Sequence, residues 1–248
     1  MSKTEKIVEV CVDSVESAIT AQSSGASRVE FCDNLTEGGT TPSYGQLKVV
    51  RELLKIKLYV IIRPRGGDFL YSDIEFDIMK EDIRKCGEIG CDGVVIGILK
   101  ADGSIDKERI KELVEIAKSY SMGVTFHRAF DRCRDLYTGL EDIIEVGCER
   151  ILTSGGRDNV MDGATVIKKL IESAKGRIAI MPGAGLTPGN IAKAAESTGA
   201  SEFHGTFRSL FESGMKYKNR DMIDEERESR THRADPEKIR DALNMLNS

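Results

Sequence analysis

No stretch of this 248-residue chain approaches the roughly 18 consecutive apolar residues of a membrane span, so no membrane partner is expected. An excess of positive charge is also missing: 36 Lys and Arg stand against 41 Asp and Glu, a formal net charge of −5. Phosphate backbones demand clustered cations, so nucleic acid is not an expected partner either. The opening residues, Met1 to Lys6, pass straight into a strand-like run, without the apolar core of a signal peptide. A cytosolic location is therefore expected. With it the six cysteines, Cys11, Cys32, Cys86, Cys91, Cys133 and Cys148, are expected as thiols rather than disulfides.

What is present is an alternation. β-branched runs begin near Ile7, Arg28, Leu58, Gly93, Gly123, Arg150, Arg177 and Ser201. Helix-period stretches follow them at roughly 14–24, 42–54, 73–88, 106–120, 135–147, 160–175, 187–198 and 235–246. Eight βα units specify a parallel sheet, and eight strands close a barrel. The chain is read as one (β/α)₈ TIM-barrel domain spanning 1–248, with a doubly wound open sheet as the alternative.

An internal repeat favours the barrel. Gly25-Ala26-Ser27-Arg28-Val29, Gly90-Cys91-Asp92-Gly93-Val94, Gly147-Cys148-Glu149-Arg150-Ile151 and Gly199-Ala200-Ser201-Glu202-Phe203 read alike. Each Gly is expected to end a helix in the left-handed conformation, before an even-numbered strand. Asp13 with Glu16, Thr41-Pro42 and Asp235-Pro236 read as helix starts. Residues 212–234 are crowded with charge and lack apolar periodicity. They are read as a loop between the eighth strand and the eighth helix, solvated or folded as a flap over the barrel mouth.

Strand parity sorts the side chains. Helices cover the outside of a barrel, so apolar positions face outward: Val8, Val10 and Val12; Val29 and Phe31; Val60 and Ile62; Val124 and Phe126; Phe203. Glu9, Cys11, Arg28, Glu30, Cys32, Arg63, Thr125, His127, Glu202, His204 and Thr206 are sent inward, and the repeat adds Leu152 and Ser154. Barrel interiors are normally aliphatic, and unpaired charge there is costly. Glu9 or Glu30 is therefore expected to pair with Arg63. A buried salt-bridge layer without chemistry is the alternative, and it is preferred for Arg28 and Glu202, which lie lower. Val-Glu-x-Cys occurs twice, bringing Cys11 and Cys32 onto neighbouring strands near the mouth. Two soft thiolates there suit Cu(I), and two small core residues are the plainer reading. Cys86, Cys91 and Cys148 map to the lower face or helix ends as structural residues; Cys133 stays open.

Glycine-rich turns follow the later strands: Ser154-Gly155-Gly156, Gly183-Ala184-Gly185 and Gly205-Thr206. Such loops form the anion cradle of many barrels, so Ser154, Gly155, Gly156, Gly183, Gly185 and Gly205 are the expected anion-binding set. Tight turns without a ligand are the alternative. Arg63 and Arg65, in Arg63-Pro64-Arg65-Gly66-Gly67-Asp68-Phe69, add two cations near the mouth.

These residues resemble the CutC copper-homeostasis family. The matching stretches are Glu9-Val10-Cys11-Val12-Asp13-Ser14, Arg63 to Phe69, Thr125-Phe126-His127-Arg128-Ala129-Phe130-Asp131, Ile151 to Gly156, Met181-Pro182-Gly183 and Glu202-Phe203-His204. The resemblance runs from residue 7 to about 207. It implies a cytosolic TIM-type barrel, a homo-oligomer, and a link to copper tolerance. The two cysteines proposed in that family as copper ligands fall on Cys11 and Cys32. Ala184 departs from the pattern, where family members often carry Gly.

Three functions compete. The first is copper handling, with Cu(I) held by Cys11 and Cys32. The lack of a Cys-x-x-Cys or Met-rich motif counts against a high-capacity store. The second is an enzyme of lyase or isomerase type on a small anionic or phosphorylated metabolite. His127 or Glu30 would abstract a proton, His204 or Glu9 would assist, and Arg63 would hold charge. No lysine lies on the interior strands, which disfavours a Schiff base. The third is a scaffold with a fossil site.

Overall fold

The computed structural model describes residues 6–217, 219, 221 and 229–247. Strands and helices alternate as the sequence predicts. The order is β1 (Ile7–Val12), α1 (Val15–Ser23), β2 (Arg28–Phe31), α2 (Tyr44–Leu53), β3 (Lys57–Ile61), α3 (Asp73–Ile89), β4 (Gly93–Ile96) and α4 (Lys107–Ser119). Then come β5 (Gly123–Phe126), α5 (Leu136–Val146), β6 (Arg150–Thr153), α6 (Val160–Ala174), β7 (Ala179–Pro182), α7 (Ile191–Thr198) and β8 (Glu202–Gly205). A pair, β9 (Arg208–Glu212) and β10 (Arg230–Ala234), precedes α8 (Pro236–Asn247). Strands β1 to β8 form one parallel sheet in the order β7-β6-β5-β4-β3-β2-β1-β8. The sheet curls until β8 packs beside β7, a nearly closed TIM barrel.

Parity divides the core in two. The outward residues, among them Val8, Val10, Val29, Phe31, Val60, Ile62, Phe126 and Phe203, join the helices in one large apolar cluster. Inside the tube, Cys11, Cys32, Tyr59, Ile61 and Val95 form a separate small one. The repeated junctions behave as expected: Gly25, Gly90, Gly147 and Gly199 have φ of 97°, 84°, 87° and 74°. A side chain in that conformation is strained, which accounts for glycine there.

Three local expectations are corrected. The cap of α1 is Ser14, whose extended backbone lets its hydroxyl accept from Ser17 N at 3.2 Å. Ser43, not Thr41, caps α2 through a reciprocal capping box with Gln46. Thr41 Oγ1 is occupied elsewhere, accepting from Arg63 N at 2.9 Å. The ends of the charged segment 212–234 are not loop. They belong to the antiparallel pair β9 and β10, in register from Ala234 opposite Arg208 to Arg230 opposite Glu212. Both strands are largely exposed, so they show no apolar alternation. Most of the centre of this segment, including 222–228, lies outside the described residues, and so does any flap formed by it. Asp235 does act as a helix cap, accepting from Glu237 N at 3.0 Å and Lys238 N at 3.3 Å.

Candidate functional site

The inward polar side chains form two layers. Register places Glu9 opposite Arg28 on β2 and opposite His204 on β8. Arg28 donates through Nε to Glu9 Oε2 and through Nη2 to Glu202 Oε2 at 2.6 Å. Arg150 also reaches Glu202, 2.5 Å from Nε to Oε2. Tyr59 lies under both guanidinium groups, 5.3 and 5.5 Å from its ring centre. This lower layer is an ion-pair lattice, in keeping with the structural reading of Arg28 and Glu202.

The expected pairing of Arg63 with Glu9 or Glu30 is corrected. Arg63 follows β3 by two residues, so its guanidinium lies among the loops of the mouth, where backbone carbonyls abound. Nη1 donates to Glu37 O at 2.6 Å and Gly39 O at 2.8 Å, and Nη2 to Gly67 O at 2.7 Å.

Above the lattice is a cavity of about 300 Å³ that opens at the mouth. Cys11, Glu30, Arg63, His127 and His204 all line it, so four of the five proposed catalytic side chains and one of the two thiols meet there. Glu9 supports it from below, 2.8 Å from His204 Nδ1 through Oε1. On the other side of that ring, Nε2 lies 3.6 Å from Glu30 Oε2. Burial opposes charge on the His204 ring. Glu30, Cys11 and Glu9 outweigh it and raise its pKa well above the usual value, so the ring is an imidazolium between two acids. Burial also works against the Glu9 carboxylate, but Arg28 and His204 prevail and hold its pKa at about 2. For Glu30, burial wins over His204 and its pKa rises.

The two cysteines lie at the same end. Their register is staggered, with Cys11 opposite Glu30, yet Cys11 Sγ and Cys32 Sγ are 3.6 Å apart. Cys32 is 1% exposed and packs behind the cavity with Ile61 and Val95. Cys11, Glu30 and His204 each present a ligand atom within 4.8 Å of the others, all buried. The hydrogen bond to Cys32, then burial, raises the Cys11 thiol well above its usual range. For Cys32 the bond to Cys11 pulls downward, but burial and Glu30 push the thiol up to about 12. At neutral pH both sulfurs carry protons that only a strongly thiophilic ligand would displace.

His127 adopts a defined tautomer. Its Nδ1 accepts from Ala129 N at 3.1 Å, which leaves the proton on Nε2. That Nε2 is buried and has no hydrogen-bond partner among the described residues. Burial and then the nearby Arg63 lower the pKa of the ring to about 3, so it is neutral.

The glycine-rich turns are differently placed. The carboxylate of Asp131 accepts from Ser154 N at 3.1 Å, Gly156 N at 2.9 Å, Ser154 Oγ at 3.0 Å and Thr153 Oγ1 at 2.5 Å. Gly155 N donates to Thr153 Oγ1 at 2.9 Å, and Gly183 N to Thr153 O at 3.0 Å. The backbone donors expected to cradle an external anion after β6 are thus engaged within the chain, Ser154 N and Gly156 N by Asp131 and Gly155 N by Thr153. Gly185 and Gly205 border the cavity. Gly183 is a packing requirement, since a Cβ there would stand 2.5 Å from Leu152 Cδ1 and 3.3 Å from His204 Cδ2.

Sequence reasoning missed Arg28 as the partner of Glu9, gave Asp131 and Phe69 no role beyond the family resemblance, and passed over Gly97. Arg28 was visible in the register, because adjacent inward residues on neighbouring strands meet. Gly97 is at the end of β4, where a Cβ would lie 2.4 Å from His127 Cε1, so the glycine makes room for the imidazole.

The comparisons with known proteins agree with the fold and show the family. The model of the CutC family matches residues 6–209. The chain belongs to the CutC family. It is 52% identical over 213 residues to the human copper homeostasis protein cutC homolog, covering 86% of this chain and 77% of that protein. A CutC-family protein of Chromobacterium violaceum is 51% identical over 214 residues, 86% of each chain. Among solved structures, a candidate copper homeostasis protein, CutC, of Streptococcus agalactiae superposes with a TM-score of 0.77 at 37% identity. It covers 81% of this chain and 98% of that one. Deoxyribose phosphate aldolase of Aeropyrum pernix, at 16% identity, TM-score 0.61 and 80% and 85% coverage, shares the barrel fold alone.

Proposed function

We propose that this CutC-family barrel takes part in copper homeostasis as a cytosolic Cu(I)-binding protein, with Cys11 and Cys32 as its ligands. The observation that carries this reading is the 3.6 Å approach of two buried thiols at the edge of an open cavity. Soft sulfur donors select Cu(I), and Glu30 stands near enough to complete the ligand set. The copper-homeostasis name of the human relative supports it. A reducing compartment suits six cysteines that are all free thiols. Copper is cargo here, entering past Cys11 and leaving by the same mouth.

Coordination replaces the thiol protons, so uptake releases about two protons per ion near neutral pH. Anaerobic competition of the whole protein against a strong Cu(I) chelator tests the reading. Wild type is expected to bind one equivalent, and Cys11→Ser with Cys32→Ser to lose it. Unchanged affinity in the folded double variant refutes the assignment.

A further inference from the structure

The copper reading uses the sector of the cavity built by β1, β2 and β8. A second sector, supplied by the ends of β3 and β5, is left unexplained. Arg63, 4% exposed, is a permanent cation. Its three hydrogen bonds run to backbone carbonyls, which hold the guanidinium but do not cancel its charge. Among the described residues no carboxylate forms a salt bridge with it, and its Nε has no hydrogen-bond partner. The buried Tyr71 hydroxyl makes no well-formed hydrogen bond among the described residues, but it lies beside Arg63: burial raises its pKa, and the charge and side-chain N–H of Arg63 pull against that rise. His127, also 4% exposed, lines the same cavity, and its buried Nε2 proton is a second orphan donor. Phe69 joins them: Arg63 lies 5.1 Å from its ring centre, and the His127 ring 4.9 Å from it, tilted by 47°.

A buried donor without a partner carries the full cost of its desolvation. Two such donors, one of them on a cation, belong to residues that line one open cavity, which points to an absent acceptor. We propose that Arg63 and His127, flanked by Phe69, bind the carboxylate of a small organic acid.

The class of ligand follows from what is offered. Two N–H donors and an aromatic face suit a planar anion with two oxygens. A phosphate group has more oxygens to satisfy, and the backbone donors that would serve them after β6 already hold Asp131 and Thr153. The cavity, about 300 Å³, is at the small end of ligand sites, so the acid has few carbon atoms. The rest of the molecule would extend over Leu35 and Ile61 toward Glu30 and His204.

The test uses the whole chain, metal-free and reduced, so that it does not depend on copper binding. Pyruvate and inorganic phosphate are titrated separately into protein labelled with ¹⁵N at histidine. Pyruvate is expected to shift the His127 Nε2 resonance saturably, and phosphate to leave it in place. Arg63→Met and His127→Phe are each expected to weaken pyruvate at least about tenfold by calorimetry. The proposal is overturned by a His127 signal that pyruvate does not move. It is equally overturned by phosphate acting as pyruvate does, or by folded variants that keep wild-type affinity. If Arg63→Met fails to fold, the His127 resonance of the wild type still decides.

Discussion

Glu9 receives the Arg28 guanidinium on one oxygen and His204 on the other, and Arg28 in turn bridges to Glu202. Each charge in this lattice is held by the next, and Glu9 is 1% exposed. Removing one member leaves others buried without compensation. Arg28→Met is therefore expected to destabilise the fold by about 3–5 kcal/mol, seen as a lower urea midpoint at an unchanged slope. A loss below about 1 kcal/mol would mean that water reaches the lattice after all. Cys11 and Cys32 were legible in the sequence because parity alone sends both inward. The partner of Arg63 was not, because parity gives the side of a strand and not the height. Arg63 lies beyond the end of β3, level with loop carbonyls rather than with Glu9.

At the scale of elements, the alternation of strand and helix and the four junction glycines were readable from spacing and residue type. The caps were displaced by one or two residues, because Asp13, Ser14, Thr41 and Ser43 all offer a side-chain oxygen and only backbone geometry chooses among them. Strands β9 and β10 went unread for want of an apolar face. The turn after β7 holds a strained residue: Ala184 has φ of 78°, where an L side chain is disfavoured. Ala184→Gly relieves that strain at some entropic cost. It is expected to raise stability by about 0.5–1 kcal/mol, measured as a higher melting temperature. In the opposite direction, Gly97→Ala puts a methyl group against the His127 ring. A loss of about 1–3 kcal/mol and a displaced His127 resonance are expected, whereas the same change at exposed Gly214, where nothing lies within 4 Å, should leave that resonance alone.

Across the whole molecule, buried titratable groups set the response to acid. The Glu9 carboxyl, at about 2 folded against 4.5 in the unfolded chain, stabilises the fold above 4.5 and loses that contribution as pH falls toward 2. The His127 ring, at about 3 folded against 6.5, is protonated first in the unfolded chain, so acidification from 6.5 to 3 also weakens the fold. His204 runs the other way: its raised pKa stabilises below 6.5 and is lost as pH climbs through the folded value. Stability is thus expected to fall on both flanks. In His127→Gln, the slope between pH 6 and 4 should drop by up to about 1.4 kcal/mol per unit, which denaturation at stepped pH would register. An unaltered slope would place the His127 ring in contact with water.

Asp131 has one more consequence. In many barrels glycine-rich turns at the rim wait for an anionic solute, so that their order rises and falls with what the medium supplies. Here the occupant is tethered by the polypeptide, arriving at a fixed local concentration whatever the surroundings contain. That corner of the rim is set during folding itself. Exhaustive dialysis should leave it as firm as before, and any loosening of the opening in response to cargo must come from elsewhere on the circumference.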